Sequence, residues 1–415
     1  MNVVKIATAG SVDDGKSTLI GRILYDTKSL TQDKLEAIRE KSRQRGFDYL
    51  DFSLATDGLV AEREQGITID VAHIYFSTPK TSFIIADTPG HIEYTRNMVT
   101  GASNSQTSII LVDARNGVVE QTYRHFFINN LLRVKDVIIA VNKMDLVNFS
   151  EEKFNQIKGE IAYLAKKSDY QNQHITFIPL SALKGDNVVK PSENTPWYTG
   201  ETLLSYLENL GDKEEQEELQ ARFPVQTVIR PKTEEYHDFR GYAGKLYGGD
   251  LAVGDVVTVL PSATKSTIKS IQFFDKEYTR AKRGSSVNIT LEDDVNVSRG
   301  DMLVKTGEEP AVVKQLEATI CWMDKTPLQA SQKYYIKHGV NDAQAKITEL
   351  KTVVHTDFSG VQKDPSQLSL NEIGEIRLKV SKPLCVDSYK ENKANGAFII
   401  INPKTNTTSG VGFIK

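Results

Sequence analysis

The chain has 415 residues, more than one hydrophobic core accommodates, and this length predicts two to four domains. Hydrophobic residues make up 39% of the chain and charged residues 25%, which excludes a disordered or collagen-like protein. With 51 basic and 54 acidic residues the net charge is −3, so the sequence gives no sign of a dedicated nucleic-acid binder. We expect no nucleic acid among its partners.

The sequence contains neither a membrane span nor a pattern for secretion. No apolar run approaches the roughly 18 residues that a membrane helix needs, and the first residues do not form a signal peptide. We therefore expect a cytoplasmic protein that does not contact membranes. The two cysteines, Cys321 and Cys385, lie far apart without CxxC spacing, which predicts reduced thiols packed as small apolar groups.

The first motif along the chain is a phosphate-binding loop. An apolar run from Val3 to Ala9 leads into Gly10, four further residues, and then Gly15-Lys16-Ser17, which is the Walker A spacing. Glycines at these two positions let backbone N–H groups and the following helix N-terminus approach an anion closely. Lys16 then supplies a positive charge for the β- and γ-phosphates, and the Ser17 hydroxyl is a hard oxygen ligand for Mg²⁺.

Residues 1–210 have the pattern of an α/β P-loop GTPase domain, with a mostly parallel sheet and helices on both of its faces. Short apolar runs, each buried on two faces, alternate with longer amphipathic stretches. The runs predict strands at 83–87, 108–114, 137–145 and 175–182. The stretches predict helices at 17–25, 33–45, 93–101, 118–132, 151–167 and 202–210.

The second half of the chain has a different texture. Residues 211–222 are rich in acids and predict a linker. Beyond it, short alternating segments are separated by Gly, Pro, Asn and Asp, which is typical of antiparallel strands. Because about 190 residues suit two small β-barrels better than one, we predict a second domain at 223–310 and a third at 311–415.

A guanine-reading motif follows a later strand of the same predicted sheet. In Asn142-Lys143-Met144-Asp145, the Asp145 carboxylate can accept hydrogen bonds from both N1–H and the 2-amino group of guanine, a pair of donors that adenine lacks. Asn142 is expected to tie neighbouring loops together, and the Lys143 stem to lie over the ring. Ser181-Ala182-Leu183 ends the next strand, where the Ala182 N–H is expected to reach guanine O6.

Groups that sense the γ-phosphate are expected along the chain between the phosphate-binding loop and the guanine-reading motif. Asp87 closes a strand and can hold Mg²⁺ through water, and the Gly90 N–H can approach the γ-phosphate. Thr68 is the candidate second hydroxyl ligand for Mg²⁺, although a plain strand threonine would fit the same pattern. His91 can position the attacking water, and a surface histidine is the alternative interpretation.

These segments together resemble the elongation-factor-Tu-like translational GTPases. The resemblance is carried by GSVDDGKST, GITI, DTPGH, NKMD and SALK, and it covers the whole chain. Within that superfamily, DDGKSTLIGRILYDT, DGLVAEREQGITIDVA and IIADTPGHIEYTRNMVTGAS are similar to the GTP-binding large subunits of bacterial sulfate adenylyltransferase. Asp14, where elongation factors usually carry histidine, favours the sulfate branch.

The resemblance implies a role for each matching residue. Catalysis would involve His91, Lys16 and Thr68, and Mg²⁺ would be held by Ser17, Thr68 and Asp87. An apolar gate for His91 would be formed by Val12 and Ile67. The phosphates would be held by Gly10, Ser11, Val12, Asp13, Asp14, Gly15, Lys16, Ser17, Thr18, Asp87 and Gly90, and guanine by Asn142, Lys143, Asp145, Ser181, Ala182 and Leu183.

The resemblance also implies that GTP and Mg²⁺ are the cofactors and that a smaller catalytic subunit is the partner. Since one phosphate loop implies one nucleotide, adenylyl transfer from ATP to sulfate would take place on that partner. Two alternatives stay open at this stage: delivery of aminoacyl-tRNA, and a bifunctional relative with a C-terminal adenylylsulfate kinase. We expect neither, because Asp14 favours the sulfate branch and because these 415 residues contain no second phosphate loop, so that the bifunctional relative would require a longer chain.

Overall fold

The computed structural model describes residues 3–55, 71–88, 95–210, 219–231 and 239–415. Two compact units result, one formed by residues 1–215 with 355–360 and the other by residues 216–354 with 361–415. Within the described ranges, no helix combines the length and the apolar character that crossing a membrane requires.

The first unit is built on a six-stranded, mostly parallel sheet. Its strand order is β2-β3-β1-β4-β5-β6, and only β2 runs antiparallel to its neighbour. Every residue of β4 is buried, as the apolar run at 109–112 predicts for a strand that is covered on both faces. The strands are β1 Val3–Ala9, β2 Ala72–Ser77, β3 Ser82–Asp87, β4 Thr107–Asp113, β5 Asp136–Asn142 and β6 His174–Pro179.

The described helices in this unit begin and end within two residues of the predicted ranges. The helix at 151–167 is found as predicted, because Ser150 Oγ accepts a hydrogen bond from the Lys153 N–H and its buried residues recur every three to four positions. The helices are α1 Lys16–Asp26, α2 Gln32–Gln44, α3 Thr95–Ser103, α4 Glu120–Leu131, α5 Glu151–Lys167 and α6 Leu203–Leu210, with short 3₁₀ helices at Phe52–Ala55 and Met144–Val147.

Two closed six-stranded barrels make up the second unit, as predicted. In the first barrel the ring runs β10-β15-β7-β8-β14-β11 and returns to β10, and β12 extends β11. The strands are β7 Phe223–Ile229, β8 Gly241–Lys245, β9 Leu251–Ala252, β10 Val256–Leu260, β11 Thr264–Phe273, β12 Lys276–Tyr278, β13 Arg280–Ala281, β14 Ser286–Leu291 and β15 Met302–Lys305.

The second barrel closes in the same way, through the ring β17-β21-β22-β16-β20-β18 that returns to β17, with β19 extending β18. Its strands alternate buried and exposed residues, as a barrel with a filled interior requires. They are β16 Ala311–Trp322, β17 Lys333–His338, β18 Asn341–Val354, β19 Val361–Lys363, β20 Ile373–Val386, β21 Ala397–Ile401 and β22 Thr408–Ile414.

The two barrels share a buried junction. Leu260, Met302 and Val304 of the first barrel pack with Cys385 of the second. Arg222, at the start of the first barrel, makes a bidentate ion pair with Asp387, whose oxygens lie 2.9 Å from Nε and from Nη2. Because both barrels fall in one compact unit, their division into separate domains at residue 310 stays a prediction.

Both cysteines are buried and neither forms a disulfide within the described part of the chain, as the sequence predicts for reduced thiols packed as small apolar groups. Burial raises the pKa of the Cys385 thiol to about 11, so this group stays protonated at neutral pH.

Candidate functional site

The candidate site lies at the edge of the first unit's sheet where its parallel strands end. Strand register places Thr8 of β1 beside Asp87 of β3, and Asp113 of β4 beside Asn142 of β5. Since the carboxyl ends of parallel strands meet at one edge, the side chains after these strands converge there. The sheet therefore brings the predicted phosphate-binding and base-binding segments together.

The loop between β1 and α1 depends on glycine at Gly15. Its φ angle is +94°, and a Cβ atom added there would lie 2.5 Å from Asn142 Nδ2. Only glycine fits a position that combines a left-handed backbone with so close a neighbour. Helix α1, which starts at the next residue, has no side-chain cap and no acid in its first turn. Its N-terminal N–H groups therefore suit an anion.

Lys16 is buried at the centre of the loop. Its Nζ atom donates hydrogen bonds to the Gly10 carbonyl at 2.7 Å and to the Ser11 carbonyl at 3.0 Å. Burial lowers the pKa of this ammonium, and the nearby charges of Asp87 and Asp14 oppose that effect. The loop thus encloses the cation that the sequence assigned to phosphate binding.

The two acidic residues of the same loop, Asp13 and Asp14, take part in hydrogen bonds that hold the loop in place. The Asp14 carboxylate accepts a 2.6 Å hydrogen bond from the Ser11 N–H, while burial raises the pKa of this carboxyl. Asp13 adopts a left-handed backbone with φ +68°, and its carbonyl accepts a hydrogen bond from Lys143 Nζ. Val12, between Ser11 and Asp13, is 39% exposed.

The candidate Mg²⁺ ligands that the structure describes are oxygen donors on adjacent segments. Ser17 lies in the first turn of α1, where Thr18 of the phosphate-binding set follows it, and Asp87 ends β3 as a buried carboxylate. Asp87 Oδ1 accepts a 3.0 Å hydrogen bond from Thr8 Oγ1, which fixes the carboxylate against β1. Hydroxyl and carboxylate oxygens are the donors that Mg²⁺ prefers, so this set fits the ion.

Asn142 joins the two halves of the site. Its Nδ2 atom donates to the Asp14 carbonyl at 2.7 Å, and its Oδ1 atom accepts from the Ala182 N–H at 2.9 Å. The residue is buried, so both bonds are shielded from water. One amide side chain therefore links the phosphate loop to the loop after β6, as we expected for Asn142.

The Ala182 N–H has a partner that the sequence analysis did not foresee. We expected this group to reach guanine O6, whereas it donates to Asn142 Oδ1. Contact with O6 therefore requires that the N–H be shared between the two acceptors. Next to it, the Ser181 hydroxyl accepts from the Lys184 N–H at 3.2 Å, and Leu183 is exposed.

Asp145 lies in the short helix Met144–Val147, directly after the αL residue Lys143. Its side chain is 8% exposed, and Lys184 Nζ lies 4.0 Å from Oδ2. The carboxylate is thus nearly buried, three residues after Asn142 along the chain. Its role in reading guanine stays a prediction.

The sequence analysis missed Asp113, which is buried at the end of β4. Its Oδ2 atom lies 3.0 Å from Lys143 Nζ, and Arg115 binds both carboxylate oxygens, with Nη2 at 2.6 Å from Oδ2. Burial raises the pKa of Asp113, but the hydrogen bonds from Arg115 and Lys143 outweigh it and lower the pKa to about 2. An acid directly after a buried parallel strand was the available signal.

The sequence analysis also missed His125, a buried polar residue on α4. Burial, and then the charges of Lys16 and Arg124, lower its pKa to about 3, so the ring is neutral at physiological pH. Nε2 lies 3.1 Å from Gln121 Nε2, and the buried Nδ1 atom has no hydrogen-bond partner among the described residues.

Three of the predicted site residues, Thr68, Gly90 and His91, lie outside the described residues, as does Ile67 of the predicted gate. Their assigned roles stay predictions.

Comparison with protein families gives two matches. The model of the elongation factor Tu GTP binding domain matches residues 1–220, which is more than half of the chain. The model of the GTP-eEF1A C-terminal domain-like family matches residues 315–415, where the second barrel lies.

Relatives with high identity extend over the whole chain. A sulfate adenylyltransferase subunit 1 of Bacteroides fragilis is 48% identical over 415 residues, covering 100% of this chain and 86% of the relative. A bifunctional enzyme CysN/CysC of Mycobacterium tuberculosis is 46% identical over 413 residues, covering 99% of this chain and 67% of the relative.

Among solved structures, the Ski7 GTPase-like domain of S. cerevisiae bound to GTP is similar to this chain with a TM-score of 0.53. The sequence identity is 16%, and the match covers 100% of this chain and 97% of that one. At this identity the likeness concerns the fold alone.

Proposed function

This chain belongs to the sulfate adenylyltransferase subunit 1 family, within the GTPases that carry an elongation factor Tu GTP binding domain, and we propose that it is a coupling GTPase. In this proposal it couples GTP hydrolysis to the synthesis of adenosine 5′-phosphosulfate and diphosphate from ATP and sulfate. The adenylyl transfer takes place on a separate, smaller catalytic subunit. The word subunit in the relatives' names supports the existence of such a partner.

The observation that carries the proposal is the Asn142 bridge between the two nucleotide-binding loops. Asn142 binds the Asp14 carbonyl and the Ala182 N–H, and Asp145 lies three residues further on. A carboxylate held there can satisfy the two donors of guanine, whereas adenine would leave it unpaired. The chain's one phosphate loop thus belongs to a guanine site, and ATP chemistry falls to the partner.

Each residue around GTP has a separate task in this proposal. The Lys16 ammonium moves from the loop carbonyls to the β- and γ-phosphates, while N–H groups from Gly10 to Thr18 surround them. The Lys143 stem lies over the guanine ring, and Ala182 shares its N–H with O6. Ser181 and Leu183 shape the loop that presents this N–H.

Ser17, Asp87 and Thr68 would hold Mg²⁺, the first two as hard oxygen donors at the start of α1 and the end of β3. When bound, the ion supplies positive charge that neutralises the phosphate oxygens.

Hydrolysis and coupling are assigned to the segments around Thr68, Gly90 and His91. In the proposal His91 orients the attacking water after moving between Val12 and Ile67. Thr68 and Gly90 sense the γ-phosphate, so its loss releases these segments and shifts the partner between two states. The complex would work in the cytoplasm, where ATP, GTP and sulfate meet.

The substitution Asp145→Asn tests base recognition and coupling together. The new amide presents a donor to a guanine donor, which should weaken GTP binding roughly a thousandfold. Xanthine carries a carbonyl in place of the 2-amino group and suits the amide, so xanthosine triphosphate should bind instead. In the reconstituted complex it should also replace GTP in stimulating adenylylsulfate synthesis.

The matched control is Asp169→Asn, an equal charge change at an exposed residue that precedes β6, at the opposite edge of the sheet. It should change neither nucleotide affinity nor stimulation. Unchanged GTP affinity in Asp145→Asn would reject Asp145 as the base reader. A switch in affinity without a switch in stimulation would reject the role in sulfate activation, as would robust adenylylsulfate synthesis by the purified chain alone.

A further inference from the structure

The hairpin formed by β11 and β12 in the first barrel ends in exposed aromatic residues. The two strands pair Ile271 with Tyr278 and Phe273 with Lys276, so that Phe274 and Asp275 alone form the turn. We propose that this tip is where the chain docks on the catalytic subunit, with the Phe274 ring inserted into an apolar pocket that has an acidic rim. This inference rests on the proposed function, which supplies the partner.

The backbone at Phe274 is strained. Its φ angle is +53°, in the left-handed region. The first position of a two-residue hairpin turn is ordinarily occupied by glycine, asparagine or aspartate, which tolerate this backbone, and not by a bulky aromatic residue. The local sequence therefore contradicts the turn that it forms, a conflict expected at functional sites.

Nothing within the described residues compensates for this strain. The Phe274 side chain is 89% exposed, and its ring contacts the ring of Phe273, with 4.6 Å between centroids. An aromatic side chain in water gains none of the free energy that burial would supply. The residue thus destabilises the free chain, and a partner that buries the ring would reverse this effect.

Phe274 is part of a small patch. Because residues paired across two antiparallel strands point to the same face, Phe273, Lys276 and Tyr278 share one face of the hairpin. Phe273 and Tyr278 are each 44% exposed. An aromatic anchor surrounded by partly exposed apolar and polar groups is the usual composition of an interface hot spot.

Charge around the hairpin indicates the chemistry of the partner. Residues 269–283 carry five exposed cations, which are Lys269, Lys276, Arg280, Lys282 and Arg283, against two acids, Asp275 and Glu277, and Arg280 lies 3.8 Å from Asp250 Oδ2. This local excess of positive charge occurs in a chain whose net charge is −3. A pocket rimmed by carboxylates would therefore complement the hairpin.

The same features disfavour two other occupants. A second copy of the chain would bring an identical basic segment against the first, and the two would repel each other. RNA bases stack on flat aromatic faces, whereas the rings of Phe273 and Phe274 meet at 67°, edge to face. A protein pocket accepts this edge-on pair more readily than a base does.

The experiment measures binding of the purified chain to the purified catalytic subunit of the same organism by isothermal titration calorimetry. Phe274→Asn removes the ring and suits the left-handed turn, so the thermal midpoint of the free chain should stay constant or rise. The dissociation constant should increase at least about 30-fold. The GTP concentration for half-maximal hydrolysis by the free chain should not change.

A matched control is Tyr335→Asn, which removes a 40% exposed aromatic ring from strand β17 of the other barrel. It should leave the dissociation constant within twofold of the unmodified chain. Lys276→Glu should weaken binding more at low salt than at high salt, because it reverses the charge that faces the acidic rim.

The outcomes separate the two proposals. If the unmodified chain does not bind the catalytic subunit, the proposed function fails. If it binds and Phe274→Asn binds equally well, the proposed function stands and the docking inference is overturned. The inference is also overturned if Phe274→Asn acts by dissociating a homodimer, seen by light scattering, or by releasing RNA from the chain.

Discussion

The nucleotide end of the first unit and the junction between the two barrels both contain a buried carboxylate paired with cations. At the junction, Asp387 meets Arg222, whose guanidinium also donates to the Glu308 carbonyl at 2.8 Å and to Gln220 Oε1 at 2.6 Å. At the nucleotide end, Asp113 meets Arg115 and Lys143. Both places hold a buried carboxylate that is paired with a positively charged side chain, but the groups around the two pairs differ.

The difference lies in where the cation's remaining hydrogen bonds go. Among the residues that the structure describes, every hydrogen bond of the Arg222 side chain ends on the second unit itself, so the ion pair serves as a structural joint. Lys143 instead divides its contacts between Asp113 and the Asp13 carbonyl of the phosphate loop. We therefore infer that the ion pair of Asp113 with Lys143 positions a ligand-binding loop, whereas the ion pair of Asp387 with Arg222 stabilises the fold.

The largest effect is expected at the joint. Arg222→Ala leaves the Asp387 carboxylate buried without its cation, which should lower the free energy of unfolding by about 3 to 5 kcal/mol. Urea denaturation followed through Trp322 fluorescence measures the second unit, in a Trp197→Phe background that removes the signal of the first. GTP affinity should stay within twofold.

The double substitution Arg222→Met with Asp387→Leu is the control, because replacing both charges by apolar groups avoids the unpaired carboxylate. It should recover most of the lost stability. Equal loss in the single and double variants would mean that packing, and not the ion pair, holds the joint.

The next largest effect is expected in the pH dependence of stability, and it depends on how two buried histidines are hydrogen-bonded. His338 in the second barrel has a partner, since its Nε2 lies 2.8 Å from the Asn395 carbonyl, whereas His125 Nδ1 has none among the described residues. Protonation of His125 therefore favours unfolding of the first unit. The free energy of unfolding of the first unit should have its full value above pH 6.5. It should fall by up to about 1.4 kcal/mol per pH unit as the pH decreases from there towards 3, the pKa of His125 in the folded unit.

Urea titrations between pH 7 and 5, followed through Trp197 in a Trp322→Phe background, measure this slope. His125→Gln keeps a polar group of similar size that does not titrate, and it should flatten the slope in this range. A slope that survives the substitution would assign the acid sensitivity to other groups.

The smallest effect is expected for Asp113→Asn. The amide can no longer hold Lys143 and Arg115 through two charged contacts, so Lys143 is less firmly placed against the phosphate loop. GTP should bind roughly tenfold more weakly, mainly through faster dissociation. Stopped-flow release of a fluorescent GDP analogue measures the rate.

Arg115→Gln is the companion variant, because it removes the other cation and leaves the pair of Asp113 with Lys143 intact. It should change the release rate less than Asp113→Asn does. If both variants release nucleotide at the unmodified rate, Asp113 belongs with Asp387 as a purely structural carboxylate, and the contrast between the two regions fails.

Sequence patterns predicted the features that depend on neighbours along the chain. Helix α5 was predicted to the residue because its cap at Ser150 and its apolar spacing are both local. Strand β4 was found from a short run of buried apolar residues. Likewise, the glycines of the phosphate loop follow from backbone geometry that a few residues define.

Features that depend on partners from distant segments were missed. Asp113 forms its ion pair with Lys143, thirty residues further on, and the Ala182 N–H donates to Asn142, forty residues earlier. The turn at Phe274 was missed for a different reason, since a pair of phenylalanines gives no turn signal and the strained backbone appears only in three dimensions.

Ring closure in the two barrels also has a consequence for the behaviour of the protein at high concentration. An open sheet edge is a template for strand addition by other molecules. In the two seven-stranded sheets, the outermost strands beyond each ring are Lys276–Tyr278 and Val361–Lys363, each of three residues and each containing lysine. Intermolecular β-sheet growth from these two sheets should therefore be poor, so amyloid-like aggregation should not begin at their edges.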